Sequence, residues 1–177
     1  MSRPSLQKDV KGEVAEGKTF LSNFRMETKT EMESAEDARM SEVLPWLYLG
    51  SQEAAGDEEL LRLHRISHSL NLGSISMGRE QWTWRVVERR LQLRDTPEQR
   101  IDGAVAEGTE FLQECEARGG RVLVHCSAGE SRSPTIVIAF LISTRGCSFL
   151  EAFNLVKERR PSINPNPSFV AQLKQFI

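Results

Sequence analysis

Apolar positions follow different patterns before and after about residue 41. Beyond that point, apolar residues cluster or alternate over short stretches typical of strands, at 43–49, at 66–72, in the second half of 81–94 and at 122–124. Other stretches carry them every three or four positions, as helices do, at 101–115, 149–156 and 169–176. The continuous apolar run at 134–142 indicates a helix that is buried on nearly all sides, and Gly146 marks its end. One domain with both strands and helices is therefore predicted after residue 41.

Side chains that cap helices mark several predicted helix starts. Ser51 can cap a short helix, and Asp57 can cap the next one. That second helix is expected to turn three leucines inward: Leu60, Leu61 and Leu63. Farther along, the stretch from Ser148 to Glu151 has the form of a capping box. These boundaries are predicted from local chemistry alone.

Residues 1–41 mix charges without a lasting period. Through Met40 there are seven Lys or Arg and eight Asp or Glu residues, so we expect a disordered arm with both signs of charge. Its apolar cluster is Phe20-Leu21-Ser22-Asn23-Phe24. This cluster is interpreted either as a transient helical turn or as a docking peptide for a partner or for the domain. The predicted folded domain covers residues 42–177.

Charge and cysteine content narrow the function classes. The formal net charge of −2 argues against a nucleic-acid-binding protein, because such proteins usually carry a basic excess. The three cysteines form no CxxC pair and no disulfide framework, so a reducing compartment is expected. Together with the three histidines they form no ligand cluster. We therefore expect no metal and no other cofactor.

No targeting or membrane segment is predicted. The first residues lack an apolar core of the kind that signal peptides carry, and no apolar run approaches the roughly 20 residues of a membrane span. Position 2 is Ser rather than the Gly that myristoylation requires. We expect a soluble protein of the cytoplasm, with the nucleus as a second location.

The candidate chemistry lies in the turn between the strand at 122–124 and the helix that follows it. A strand, a short loop and a helix N-terminus form an anion site, because backbone N–H groups converge there and the helix dipole adds partial positive charge. Gly129 allows the backbone a positive φ and a close approach to the anion. The residues expected to line this phosphate loop (residues 127–132) are Ser127, Ala128, Gly129, Glu130, Ser131 and Arg132.

Cys126 is the candidate nucleophile. The N–H groups, the dipole and Arg132 all favour its thiolate, so we expect its pKa to fall below that of a free thiol, to about 3.5–7.5. Arg132 offers a planar fork of donors for two phosphoryl oxygens. Ser133 can donate a hydrogen bond to the sulfur and help it leave, and His125 can orient the loop. These residues fit covalent phosphoryl transfer; a buried structural Cys beside a surface Arg is the alternative.

The string His125-Cys126-x-x-Gly129-x-x-Arg132-Ser133 resembles the signature of the Cys-based protein phosphatases. Ser131-Arg132-Ser133-Pro134-Thr135 is similar to the small, stand-alone (atypical) dual-specificity branch, and Leu47-Tyr48-Leu49-Gly50-Ser51 resembles its opening strand. The resemblance covers about residues 43–177. It implies an α/β fold with a central, twisted, mostly parallel sheet flanked by helices, and a site at the C-terminal end of a strand.

The resemblance also implies a general acid. In that family an Asp on the loop after a strand has this role, and Asp95 holds the matching place, 31 residues before Cys126. Glu98 and Asp102 are nearby alternatives, and an ordinary turn or N-cap role is the alternative for Asp95. Low-molecular-weight phosphatases and arsenate reductases place the acid after the loop, so the order found here favours the dual-specificity branch.

The implied function is hydrolysis of phosphotyrosine and of phosphoserine or phosphothreonine in proteins. Cys126 attacks the phosphoryl group while Asp95 protonates the leaving oxygen, and the same Asp then activates water against the phosphocysteine. The long inserts that deepen the pocket of tyrosine-specific enzymes are missing, so dual specificity is expected. The substrate protein stays open, with a signalling kinase as one candidate; no nucleic-acid partner is expected, and the oligomeric state is open.

Two other functions are considered. A catalytically weak phosphate-binding adaptor in signalling is the alternative from another class, and the presence of Cys126, Arg132 and Asp95 together argues against it. A phosphoinositide or RNA phosphatase is expected to carry extra Lys or Arg in its loop for a polyanion. This loop carries Glu130 instead, whose charge should repel such a substrate.

Two further features are expected to serve packing. Cys115 lies on the apolar stripe of the helix at 101–115 and is expected to be an inert core thiol. Trp82 and Trp84 share one face if their segment is extended, where packing is favoured over a role as a substrate platform.

Overall fold

A computed structural model describes residues 39–73 and 83–176, which form one sheet with helices on both faces. The strands are β1 (Met40–Leu44), β2 (Leu47–Gly50), β3 (His68–Asn71), β4 (Val87–Arg90) and β5 (Val122–His125). The helices are α1 (Gln52–Ala55), α2 (Glu58–Leu63), α3 (Asp102–Ala117), α4 (Arg132–Arg145), α5 (Phe149–Arg159) and α6 (Pro167–Leu173). Within these residues, every helix is too short or too polar to cross a bilayer.

The strands lie in the order β1-β2-β5-β3-β4. β1 and β2 form an antiparallel hairpin, whereas β2, β5, β3 and β4 run parallel to one another. β5 has a partner on each side and buries all four of its residues, as an apolar run in a parallel sheet predicts. The expected mostly parallel sheet flanked by helices is confirmed.

The side chains of β5 alternate between two cores, one on each face of the sheet. Val122 and Val124 belong to the larger core, which includes apolar residues of α3, α4, α5 and α6. Leu123 belongs to the smaller core, together with residues of α1 and α2. Because both faces are covered, the end of β5 is held at a fixed place in the middle of the sheet.

α4 is the central helix and follows the candidate loop directly. It is buried on nearly all sides, as predicted, and contacts α3, α5, α6 and β5. It begins at Arg132 rather than at Pro134, with Ser131 as its N-cap residue, so Pro134 lies in its first turn. The helix ends at Gly146, which has a φ of 63° and confirms the predicted stop.

The capping predictions are confirmed, but the prediction that Leu63 turns inward is wrong. Ser51 accepts a hydrogen bond from the N–H of Ala54, Asp57 accepts one from Leu60, and Ser148 with Glu151 forms the capping box. Leu60 and Leu61 are buried, whereas Leu63 is 76% exposed. Leu63 lies two residues after Leu61, which is about 200° around a helix, so it points away from the core that Leu61 enters.

β4 is shorter than the sequence indicated. It ends at Arg90, and four residues separate that end from Asp95, which therefore does not follow the strand at once. Trp84, just before β4, packs against the smaller core and donates from Nε1 to the carbonyl oxygen of Ile66 at 2.6 Å, which favours its packing role. Trp82 lies outside the described residues.

Most of the predicted arm, with its cluster from Phe20 to Phe24, also lies outside the described residues. Its disorder and the boundary at residue 42 stay predictions. The first described strand begins slightly earlier, at Met40.

Candidate active site

Cys126 follows the last residue of β5, and the phosphate loop then leads into α4. The parallel register places His125 between Gly50 of β2 and Asn71 of β3. This pairing fixes the start of the loop at the C-terminal edge of the sheet. His125 is 1% exposed, so its side chain can act on a substrate only through the loop.

Two carbonyl groups of the loop are bound by neighbouring backbone. The N–H of Gln52 donates to the carbonyl oxygen of Ser127 at 3.0 Å, and the N–H of Asn164 donates to that of Glu130 at 2.7 Å. In a trans peptide the N–H points away from the C=O of the same unit. Carbonyl groups that are bound on the outside therefore turn the following N–H groups inward, towards the place of an anion.

Arg160 binds the two carbonyl groups in the middle of the loop. Its Nε donates to the carbonyl oxygen of Gly129 at 3.0 Å, and its Nη2 donates to that of Ala128 at 3.1 Å. Its Nη1 donates to Ser41 Oγ at 3.4 Å. Burial lowers the pKa of Arg160, while the negative charges of Cys126 and Glu130 oppose that shift. Four consecutive loop carbonyls, residues 127–130, are thus held from behind.

Gly129 has the positive φ that the sequence predicted, at 74°. A Cβ atom at this position would lie 2.5 Å from the carbonyl oxygen of Gly50, at the end of β2. Both the dihedral angle and the close approach to β2 therefore require glycine.

Arg132 is oriented across the loop by two hydrogen bonds. Its Nη1 donates to the carbonyl oxygen of Leu72 at 3.0 Å, and its Nη2 donates to Ser127 Oγ at 2.8 Å. Its Nε is buried and donates to no acceptor among the described residues. A buried donor of this kind is rare in folded proteins, and a bound oxyanion would satisfy it.

Ser133 lies directly behind the candidate nucleophile. Its Oγ is 3.2 Å from Cys126 Sγ, and the two residues are 0% and 3% exposed. At this distance the hydroxyl can donate to a thiolate. The placement agrees with the role expected for Ser133, which stays a prediction.

Asp95 is brought to the edge of the phosphate loop. Its Oδ1 accepts hydrogen bonds from Ser131 Oγ at 2.8 Å and from Asn166 Nδ2 at 2.7 Å. Among the described residues, neither alternative acid has a hydrogen bond to the phosphate loop: Asp102 pairs with Arg100 at the start of α3, and the Glu98 side chain is exposed. The geometry therefore favours Asp95 as the acid.

Arg160 and Asn166 are the site residues that sequence reasoning missed. They lie 31 and 71 positions along the chain from the residues that they bind, so no local pattern connects them. The N-cap chemistry of Asn166 could have been read, because Pro167 follows it and its Oδ1 accepts from the N–H of Phe169. Its contact with Asp95 could not be predicted, because the two residues are 71 positions apart in the chain.

The other two cysteines are unsuited to nucleophilic chemistry. Burial raises the pKa of Cys115 to about 11, with a smaller contribution from Glu116. Burial also raises the pKa of Cys147 to about 11, with a smaller contribution from Glu151. Cys115 is fully buried in the larger core, which confirms its interpretation as a core thiol.

Comparison with known proteins identifies the family of this chain. Residues 47–177 match the family "Dual specificity phosphatase, catalytic domain". The chain is 42% identical over 142 residues to dual specificity protein phosphatase 19 of Mus musculus, covering 79% of this chain and 63% of that protein. It is 39% identical over 137 residues to dual specificity protein phosphatase 15 of the same species, covering 77% of this chain and 57% of that protein. The match thus spans less than two thirds of either relative.

A solved structure shows the same fold. The human tyrosine phosphatase-like serine/threonine/tyrosine-interacting protein superimposes with a TM-score of 0.72 at 34% identity, covering 79% of this chain and 96% of that one. The phosphatase signature, the family match over most of the chain and the shared fold agree with one another. The chain therefore belongs to the dual specificity phosphatases, a family of cysteine-based protein phosphatases.

Proposed function

We propose that this domain hydrolyses phosphotyrosine and phosphoserine or phosphothreonine in proteins through a phosphocysteine intermediate. The observation that carries the proposal is the position of Cys126. Its sulfur lies 3.2 Å from the Ser133 hydroxyl, below a loop whose carbonyls are bound on the outside. A nucleophile and an anion cradle are the two parts that covalent phosphoryl transfer needs.

In the first step the Cys126 thiolate attacks phosphorus and the bond to the leaving oxygen breaks. The electron pair of that bond goes to the leaving oxygen, which takes a proton from Asp95. The loop N–H groups and Arg132 hold the three equatorial oxygens, where charge accumulates.

In the second step water attacks the phosphocysteine and gives a proton to Asp95. The S–P bond breaks and its electron pair returns to sulfur. The Ser133 hydroxyl then stabilises the thiolate by donating a hydrogen bond to it. Inorganic phosphate leaves, and the starting state is restored.

The test of this proposal is Cys126→Ser, assayed with phosphotyrosine and phosphothreonine peptides. We expect turnover to be lost while a phosphopeptide still binds, because the cradle consists of backbone groups and Arg132. Retention of even about a tenth of the activity would contradict the covalent mechanism, since a serine hydroxyl at this position lacks an adjacent base.

A catalytically weak adaptor is the second candidate. The human structure described above is named a phosphatase-like interacting protein, which favours the idea that this fold also serves interaction. The two candidates differ in one measurement. An adaptor binds phosphopeptide with the wild-type sequence but releases no phosphate, whereas the enzyme releases phosphate in multiple turnovers.

The physiological substrate is part of the same proposal. We expect a phosphorylated protein of the cytoplasm, with a signalling kinase as a candidate. Capture of phosphoproteins on the Cys126→Ser variant, competed by vanadate, tests this expectation. A capture that vanadate does not reduce would mean that the bound proteins do not occupy the phosphate site.

A further inference from the structure

We propose that Asn166 is a positioning residue for the general acid, binding one oxygen of the Asp95 carboxyl group so that the other oxygen carries the proton for the leaving group. This inference rests on the proposed function, because it assigns a role within the same two-step reaction. It concerns a contact between the loop after β4 and the N-terminus of α6.

Both protein hydrogen bonds to the carboxyl group reach the same oxygen. Asp95 Oδ1 accepts from Ser131 Oγ at 2.8 Å and from Asn166 Nδ2 at 2.7 Å. Within the described residues, Oδ2 accepts none. Two donors aimed at Oδ1 occupy its lone pairs, so a neutral carboxyl group keeps its proton on Oδ2.

The orientation of the Asn166 amide is fixed by its second role as the N-cap residue of α6. Its Oδ1 accepts from the N–H of Phe169 at 2.9 Å, so its Nδ2 must face Asp95. A flipped amide would lose the cap and place two oxygens against each other. The backbone N–H of Asn166 also donates to Ser131 Oγ at 3.1 Å. Asp95, Ser131 and Asn166 therefore form a closed ring of hydrogen bonds.

The rest of the acid loop (residues 95–101) is attached to the same helix. Ser168 Oγ donates to the carbonyl oxygen of Pro97 at 2.6 Å. Gln172 donates from Nε2 to the carbonyl oxygen of Gln99 at 2.9 Å and accepts from the N–H of Ile101 at 3.1 Å. α6 in turn packs on α4, which carries Arg132 and Ser133. The acid and the phosphate loop are thus positioned against the same pair of helices.

This arrangement assigns each proton movement to one atom. In the first step the proton leaves Asp95 Oδ2 for the leaving oxygen as the P–O bond breaks. In the second step Oδ2 takes a proton from the attacking water as the S–P bond breaks. The donors from Asn166 and Ser131 stay on Oδ1 in both steps and hold the carboxyl plane in place.

The experiment compares phenyl phosphate with p-nitrophenyl phosphate in the Asn166→Ser variant. Serine is as good an N-cap residue as asparagine, so this change keeps the helix cap and removes the donor to Asp95. A phenolate leaves poorly without a proton, whereas a nitrophenolate leaves nearly unaided. We expect kcat/KM, which reports the first step, to fall about 10- to 100-fold for phenyl phosphate, part of the roughly 10²–10⁴-fold of general acid catalysis, and only slightly for p-nitrophenyl phosphate.

A double-mutant cycle distinguishes an effect of Asn166 on Asp95 from a general loss of active-site structure. If Asn166 acts through Asp95, adding Asn166→Ser to Asp95→Asn causes no further loss with phenyl phosphate. Asn166→Asp keeps the cap but places an acceptor against Asp95, so it should show the same leaving-group dependence even if Asn166→Ser folds poorly. Asn154→Ser, the same change at an exposed position of α5, should leave kcat unchanged.

Equal losses with both substrates, or losses that add to those of Asp95→Asn, would overturn the positioning role. Failure of the proposed function looks different. In that case the wild-type protein turns over neither substrate, or the Cys126→Ser variant matches it.

Discussion

Arg160 donates from Nε to the carbonyl oxygen of Gly129 at 3.0 Å, from a side chain that is only 6% exposed. A buried cation at the back of the phosphate loop shapes the loop through its carbonyl groups. It also places a positive charge near Cys126, whose negative charge acts on Arg160 in return. We therefore expect residue 160 to support anion binding from behind the loop, without contacting the anion.

Arg160→Lys should weaken catalysis although it keeps the charge. An ammonium group cannot reproduce the planar fork that binds two carbonyls at once. Removal of a direct oxyanion donor costs about 10²–10³-fold in kcat, so loosening the loop from behind should cost less, about 10-fold in kcat/KM. Steady-state kinetics and the affinity for vanadate measure this loss. Arg62→Lys, at an exposed position of α2, is the control and should change neither quantity.

Asp95→Asn should slow an aryl phosphate with a poor leaving group far more than one with a good leaving group. The expected difference approaches the roughly 10²–10⁴-fold contribution of a general acid. The alkaline limb of the kcat/KM profile against pH should also flatten, because no acid is left to lose its proton. If Glu98→Gln or Asp102→Asn showed this dependence and Asp95→Asn did not, the acid would be assigned to the wrong residue.

Most helices and strands could be predicted from the sequence because local chemistry defines where they begin and end. The apolar run at 122–124, the caps at Ser51 and Ser148 and the glycine at 146 each act within one turn or one strand. The strand order could not be read in this way, since β5 enters between β2 and β3 through contacts distant in sequence. Leu63 was misplaced because α2 is only six residues long and its buried face is narrow.

The site also combines residues that a local motif predicts with residues that only tertiary contacts bring in. Cys126, Arg132 and Ser133 lie within eight consecutive residues, so one motif contains them. Arg160 and Asn166 reach the site from the far end of the chain, and only tertiary structure joins them to it.

Stability should fall as the pH rises from about 9 to about 11. The unfolded thiols titrate near their ordinary pKa of 9.0, whereas burial raises the pKa of both Cys115 and Cys147 to about 11. Between these values the unfolded chain binds fewer protons than the folded one, so stabilisation that is complete below pH 9 is lost progressively. Thermal unfolding across this pH range measures the slope.

The Cys115→Ala/Cys147→Ala variant is the comparison for that slope. Burial also raises the pKa of Tyr48, and this residue is present in both proteins, so the difference isolates the thiols. Parallel curves for the two proteins would contradict the assignment.

Ser133→Ala should slow the second step more than the first. The hydroxyl stabilises the thiolate as it leaves phosphorus, and a hydrogen bond to a charged group contributes about 1.5–3 kcal/mol, or roughly 10- to 100-fold in rate. With p-nitrophenyl phosphate the variant should release a burst of nitrophenolate approaching one per site, followed by slow turnover. Stopped-flow absorbance measures the burst, and Ser143→Ala in α4 is the control, for which we expect wild-type kinetics.

The phosphocysteine itself is the central claim, and the Ser133→Ala variant allows it to be trapped. The reaction is quenched in acid during the burst, the protein is digested, and mass spectrometry locates the added phosphate. We predict that the phosphate lies on Cys126 and that the label disappears in Cys126→Ser/Ser133→Ala. Phosphate on any other residue, or a burst with no labelled peptide, would contradict the mechanism.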